Sequence, residues 1–424
     1  MKKIRLERWI FLGILVIYFA SLIVIRAVAA GITESHIEGI EELGTSLDEF
    51  KIPTDVKVVG IGEATHGNCE FQTAKLLVLK KLAEEGKSHA IAFEMSAGEA
   101  AAYNAAIHES DSDLDELLGK TDYPLYDTQQ MLELLTWMRE YNLSHSEEES
   151  LMFYGVDMQG DLKEIAYLNG FCHDRSEGFS EEELDKLSVL AVEEEPDTEA
   201  EREFFDGLYV KLSSFEGSEY RIAESVARAL LQWIDAPSFS ENPDEYGEYR
   251  DRCMAENLQN YYDIEANRGY PQILITAHNG HVMKGDNLGY GDRTMGNRIT
   301  ELFEGSYYCI GTEFYNTVVN IHTAGTYDEA YKREDHEYCS EDVLAYQAKY
   351  FDEGSYCLDF ASVSEKDGRV YKLLHNPNFT GAAGEGYNLY MDLYKTYRAK
   401  LVAADHYDAM IYYYETTPIR VRHY

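Results

Sequence analysis

Basic residues are scarce in this chain: 37 lysines and arginines stand against 77 aspartates and glutamates, a net charge of −40. A field of that sign repels nucleic acid, so no nucleic-acid partner is expected and the acidic excess reads as a solvated surface. Cysteine is sparse as well. The six, at positions 69, 172, 253, 309, 339 and 357, are dispersed and form no CxxC pair, which excludes a disulfide scaffold. The chain has no GxSxG elbow and no HExxH, and its Gly-rich stretch Met283 to Gly296 lacks the Lys and spacing of a phosphate-binding loop. Ready-made signatures of serine hydrolases, zinc proteases and nucleotide-binding enzymes are therefore missing.

Long apolar runs are confined to the start. Lys2, Lys3, Arg5 and Arg8 precede Trp9 to Ile25, and Ala27-Val28-Ala29 follows as a small-x-small sequence. Residues 1–30 read as a signal peptide or an N-terminal membrane anchor, with a membrane partner if uncleaved and an extracytoplasmic, secreted or membrane-anchored body.

What remains, residues 31–424, is long enough for one large domain, and the apolar fraction of the whole chain, 45%, is that of a globular protein. Glu34 to Phe50 suggests a short helix. Lys57 to Ile61 reads as a strand, Phe71 to Glu85 as a helix and His89 to Glu94 as a second strand, which together make a βαβ unit. Helical patterns follow at Ser96 to Ile107 and after Asp127, the expected cap of QQMLELLTWMREY, and Leu151 to Val156 is strand-like. From about 162 to 268 strand patterns vanish and helical segments take over, including Leu208 to Phe215, Tyr220 to Ile234 and Asp251 to Ala266. Strands return at Gln272 to Thr276, Tyr307 to His322, Cys357 to Val363 and Tyr407 to Tyr414. The expected fold is α/β: a central, largely parallel sheet with flanking helices and an inserted helical lobe that could wall a substrate cleft.

Chemistry collects where these strands end. VVGIGEATHG presents Glu63 and His66, AIAFE ends on Glu94, the third strand ends at Asp157, and ILITAHNGH delivers His278, Asn279 and His281. In parallel sheets such ends share one edge, the usual place for a site. One His can take a proton from water near neutral pH while a Glu fixes its tautomer, and a second His can serve a developing oxyanion or the leaving oxygen. The HxxH of His278 and His281 leaves room for a divalent metal, although no cofactor is favoured. Cys69 lies close to this group, but nothing in the sequence lowers its pKa, so its nucleophile role is discounted.

At these same residues the chain resembles the erythromycin esterase family. The likeness rests on GEATHG at Gly62 to Gly67, Glu70-Phe71, AFE ending at Glu94, GVDMQ at Gly155 to Gln159, RDRCMAEN at Arg250 to Asn257, and AHNGHV at Ala277 to Val282. It runs from about Val56 to Pro418. The resemblance implies a deep cleft beside a helical region and hydrolysis of a carboxylic ester or lactone by activated water. His66 is then the general base, with Glu63, Glu94, His278 and His281 completing the catalytic group and Lys75, Asp157 and Asn279 binding substrate. Lys75 stands where some family members have Arg, which keeps the charge without the planar fork. Two alternatives stay open: a metal-dependent hydrolase of an amide or other bond, and a catalytically silent surface-binding module.

Overall fold

The structure, a computed structural model, describes residues 34–285, 293–323 and 332–423. The expected leader at 1–30 lies outside the described residues. Among the described residues no helix is long and apolar enough to cross a membrane. The expectation of a membrane partner and of a membrane-anchored or secreted, extracytoplasmic protein is accordingly corrected: no described element supports it.

Among the described residues eleven strands carry the architecture: β1 (Val58–Glu63), β2 (Ala90–Ser96), β3 (Met152–Asp157), β4 (Ile273–His278), β5 (Tyr307–Thr323), β6 (Arg333–Cys339), β7 (Ser355–Asp359), β8 (Asn378–Gly381), β9 (Gly386–Tyr387), β10 (Arg398–Leu401) and β11 (Ala409–Thr416). The main sheet runs β3-β2-β4-β1-β5-β11-β7, with β6 and β9 attached to β5, while β8 and β10 form a separate antiparallel pair. Pairing is parallel from β3 through β11, and β7 closes the edge antiparallel. The central strands are buried on both faces, which is why they read as continuous apolar runs rather than alternating ones. The α/β class with its largely parallel sheet and flanking helices stands as expected.

One detail of the expected βαβ unit differs. The helix α1 (Cys69–Glu84) does lead from β1 to β2, but β4 lies between the two strands. The insertion sharpens the site, because it seats the His278 end of β4 directly against Glu63, its register partner on β1.

The helical stretch comprises α2 (Leu162–Asp174), α3 (Glu181–Leu190), α4 (Arg202–Ser213), α5 (Ser218–Ile234) and α6 (Pro243–Arg268). The α5 helix buries Ile222, Ala223, Val226, Ala227, Ala229 and Leu230 as one stripe against the core. The long α6 starts with Pro243 behind an Asn242 cap and stops at Gly269, whose φ of 99° suits glycine. It packs on β3 and delivers Arg250 and Asp251 to the strand ends.

Smaller expectations also shift. Within Glu34 to Phe50 only Ile40–Leu43 is helical, bounded by Gly39 and Gly44. Thr128, not Asp127, caps the helix Gln129–Ser144, and Asp127 is buried against His423. The stretch Met283 to Gly296 falls partly outside the described residues, and Met295 already begins a helix. All six cysteines are free thiols; burial and the neighbouring Glu70 carboxylate raise the pKa of Cys69, which argues against a nucleophile there.

Candidate active site

The turn after β1 can form only because two glycines admit close neighbours. A Cβ on Gly62 would stand 2.1 Å from the Asn279 side-chain oxygen, and one on Gly67 would stand 2.1 Å from the backbone oxygen of Asn320. Between them, Thr65 accepts from the Gly67 N–H at 2.9 Å, and the Ala64 N–H donates to Thr312 at 3.1 Å. His66 is thereby fixed at the sheet edge, with its ring open to a cavity of about 1010 Å³.

Beneath His66 lies a buried ion pair. Glu63 Oε2 is 2.9 Å from His66 Nδ1, and its other oxygen is 2.7 Å from the Lys75 ammonium. Burial alone would raise the Glu63 pKa, but Lys75 and His66 more than offset it and hold the group below its usual value. Burial likewise opposes charge on His66, yet the Glu63 hydrogen bond and the Glu94, Glu63 and Glu385 carboxylates raise its pKa. With Nδ1–H donated to Glu63, the neutral ring keeps its Nε2 lone pair free.

His278 is the opposite case. Its Nδ1 accepts the Gly280 N–H at 3.1 Å, so the neutral ring carries its proton on Nε2, and that buried atom has no protein partner. Burial and the nearby His66 and His281 depress its pKa to about 4. The two rings face one another with centroids 5.2 Å apart. An acceptor and a donor, each fixed by its second nitrogen, thus share one small space.

A third cluster backs this pair. The Glu94 carboxylate accepts the His278 backbone N–H at 2.9 Å through Oε2 and the Arg250 guanidinium at 2.6 Å through Oε1. Arg250 also grips Asp157, with Nε at 3.0 Å from one oxygen and Nη2 at 2.6 Å from the other. His281 lies between Asp251 at 2.5 Å and Glu94 at 3.3 Å. Burial opposes its charge, but Asp251 and Glu94 raise its pKa to about 10, so it is an imidazolium at neutral pH. Burial opposes the Glu94 charge too, and His281 with Arg250 hold that carboxyl well below its ordinary range.

The structure therefore brings His66, Glu63, Glu94, His278, His281 and Asp157 together. Lys75 is placed differently from the expected substrate contact, and Asn279 borders the cleft with its amide already engaged. Lys75 is behind Glu63, 4.9 Å from the Phe93 ring, and is not on the cleft wall. The Asn279 amide is taken by Thr312, donating to its carbonyl at 2.8 Å and accepting its N–H at 3.3 Å. Arg250 and Asp251 gained no site role from the sequence, although RDRCMAEN contains both; two adjacent charges on a helix near another polar strand end were the available signal. Among the described residues no set of three or more His, Cys, Asp and Glu side chains could hold a metal ion. Arg250 and His281 occupy the places between carboxylates that a cation would need, which leaves the metal-dependent alternative without a ligand set.

Outward from this polar floor the cleft is lined by Tyr123, Tyr126, Trp233, Phe239 and Tyr246 on one side and by 380–385 and Tyr407 on the other. Such a concave, mostly apolar space with a few convergent polar groups suits a sizeable small molecule.

Comparison with known proteins agrees. No curated protein matches the chain. Among solved structures, a Bacillus cereus protein is similar at 18% identity and TM-score 0.70, covering 89% of this chain and 94% of its own. A succinoglycan biosynthesis protein gives 17% and 0.69, with 91% and 98% covered. An erythromycin esterase variant in its open conformation gives 15% and 0.58, with 85% and 91% covered. At these identities the likeness is one of fold. The erythromycin esterase family itself matches residues 83–416, which supports a hydrolase in general terms, and with that span covered the chain belongs to the erythromycin esterase family.

Proposed function

We propose that the protein hydrolyses a carboxylic ester or lactone by direct attack of water, with His66 as general base. The observation that supports this reading most is the pairing of His66 and His278 in complementary states, one nitrogen free to accept and one N–H free to donate across 5.2 Å between ring centroids.

The sequence of events follows from those states. Water gives a proton to His66 Nε2 as its oxygen adds to the carbonyl carbon. The charge that builds on the carbonyl oxygen takes the His278 Nε2–H, a fixed donor in a water-poor site, where such a bond is worth most. Glu63 stabilises the His66 imidazolium, and Lys75 keeps Glu63 ionised while it does so. The imidazolium then protonates the leaving alkoxide oxygen as the C–O bond breaks, leaving an acid, an alcohol and the starting ring. His281, with both nitrogens facing carboxylates, supplies a standing positive charge rather than a proton shuttle. No acyl-enzyme arises.

The volume and aromatic lining of the cleft favour a large amphipathic ester over a short-chain one. The family's name makes lactones the first compounds to try. Residues 34–423 are screened by mass spectrometry against macrolides, simpler lactones and linear esters, beside His66→Ala. The expected product is a hydroxy acid heavier than its lactone by one water, with turnover lowered at least ~100-fold in the variant, the lower end for loss of a general base. Near-wild-type turnover in a folded His66→Ala protein removes the assignment.

A further inference from the structure

One feature of the site is older in the chain of contacts than the two imidazoles. What aims His278 is partly its own Nδ1 bond to Gly280 and partly the hold of Glu94 Oε2 on its backbone N–H. A glutamate is a flexible tether, and a single hydrogen bond does not fix it. The other Glu94 oxygen is held by Arg250 at 2.6 Å, and Arg250 is in turn locked to Asp157 by two nitrogens. Its remaining Nη1 lies 3.1 Å from His281 Nε2. Glu94, Asp157 and His281 sit at or just beyond the ends of β2, β3 and β4, whereas Arg250 comes from α6 in the helical lobe. A single guanidinium therefore links the Glu94 and Asp157 ends of β2 and β3 to the lobe that walls the cleft.

We propose that Arg250 is the positioning residue of this site: through Glu94 it fixes the His278 donor and the carboxylate facing His66, and it ties that geometry to the seating of the helical lobe. The inference rests on the hydrolytic reading for its effect on turnover. The planar fork is what the role needs. Two carboxylates around one plane match a guanidinium, and an ammonium at the same place satisfies one of them well. Arg250 is 14% exposed as a side chain and borders the cleft, so a small solute can reach the space it fills.

The His66 ring is the reporter, because Glu63, Glu94, Glu385 and His278 are the titratable groups that face it. If Arg250 acts only as a nearby cation, its loss lets His66 hold its proton to higher pH. If it acts by holding Glu94 in place, its loss withdraws a carboxylate and the His66 pKa falls. The two roles differ in sign.

The test titrates His66 by ¹⁵N-histidine NMR, assigned by its loss in His66→Ala, in the wild type, in Arg250→Ala and in Arg250→Ala with added guanidinium, with ester turnover followed in parallel. The expected result is a lower His66 pKa and about 100-fold slower turnover in the variant, the scale of a small misplacement of reacting groups, with guanidinium restoring both. A His66 titration that stays put or moves upward overturns the positioning role, as does a variant changed only in KM. A lowered and rescued titration with no turnover in any sample upholds the role of Arg250 and defeats the esterase reading instead. Should Arg250→Ala not fold, Arg250→Lys answers the same question, because it keeps the charge and loses the fork; the same downward shift is expected.

Discussion

Glu94 lines the cleft and Glu313 lies behind Thr380 and Gly381, which also line it, and these two carboxyls have opposite fates. Glu94, at the end of β2, faces Arg250 and His281 and stays ionised far into acid. Glu313, on β5, is wholly buried with Asp342 nearby and only neutral donors on its oxygens: Thr380, Gly381 N–H and Phe314 N–H. Burial and then Asp342 push it up to about 8, so it holds a proton at neutral pH. Glu94 keeps a little exposure and Glu313 none, a small difference beside the difference in charge. The presence of a cation decides which carboxyl is charged. The His66 end is thus built as a dense, compensated charge network, while the part of the cleft lined by Thr380 and Gly381 is held by a neutral acid.

Removing each carboxyl should expose that difference. Glu94→Gln leaves Arg250 and His281 without part of their counter-charge, and breaking a buried network in this way costs about 3–5 kcal/mol. Glu313→Gln at pH 6 replaces one neutral group by another and disturbs a hydrogen bond or two, for about 1–3 kcal/mol. Urea unfolding of both variants at pH 6 makes the measurement. Equal costs would mean that the cations around Glu94 are satisfied elsewhere and that the contrast is false.

The pH dependence sharpens the same contrast. Glu313 has a folded pKa above its unfolded 4.5, so its contribution is complete below 4.5 and is lost as pH rises through about 8. Glu94 has a folded pKa below 4.5, so its contribution is present above 4.5 and is lost as pH falls further. His281 contributes fully below 6.5 and loses its share as pH rises through about 10. Wild-type protein should therefore weaken from pH 5 to pH 8 more than Glu313→Gln does. Turnover should move the other way in that interval, because the base works only when neutral and the His66 pKa is raised above 6.5. It should then decline toward pH 10 as His281 discharges. His278, at about 4, imposes no limb between. A kcat/KM profile flat from pH 6 to 9 would contradict the role of His66.

The His66 end was legible in the sequence and the Thr380–Gly381 wall was not, for one physical reason. Strands buried on both faces announce themselves as apolar runs, and VVGI, AIAFE and ILIT did so, although each strand runs two residues further than its expected end, to Glu63, Ser96 and His278. The strands behind that wall carry no such pattern. β6 reads REDHEYC with a single buried residue, β9 is two residues long, and β8 and β10 pair with each other. Arg250 was hidden differently. It lies in a polar helix whose surface charges are numerous, and only the folded register shows that this one turns inward. Lys75 misled because a charge near a site suggests a ligand contact, whereas its ammonium is spent on Glu63.

Lys75 gives the smallest expected effect and the finest test of the compensated end. Its ammonium is 2.7 Å from Glu63 and its surroundings are closed, with Phe93 at 4.9 Å and Tyr126 at 5.9 Å from the charge. Lys75→Arg keeps the counter-charge and adds bulk to a packed site, so stability should fall by about 1–3 kcal/mol while turnover drops by less than ~10-fold. Lys75→Met removes the charge and leaves His66 as the cationic partner of Glu63, so the His66 pKa should rise and less of the base is neutral at pH 7. If the charge on Glu63 is what matters, Arg is tolerated and Met is not. Equal turnover in the two variants would mean that His66 is held by Glu63 geometry alone, and that charge compensation at this end serves folding rather than catalysis.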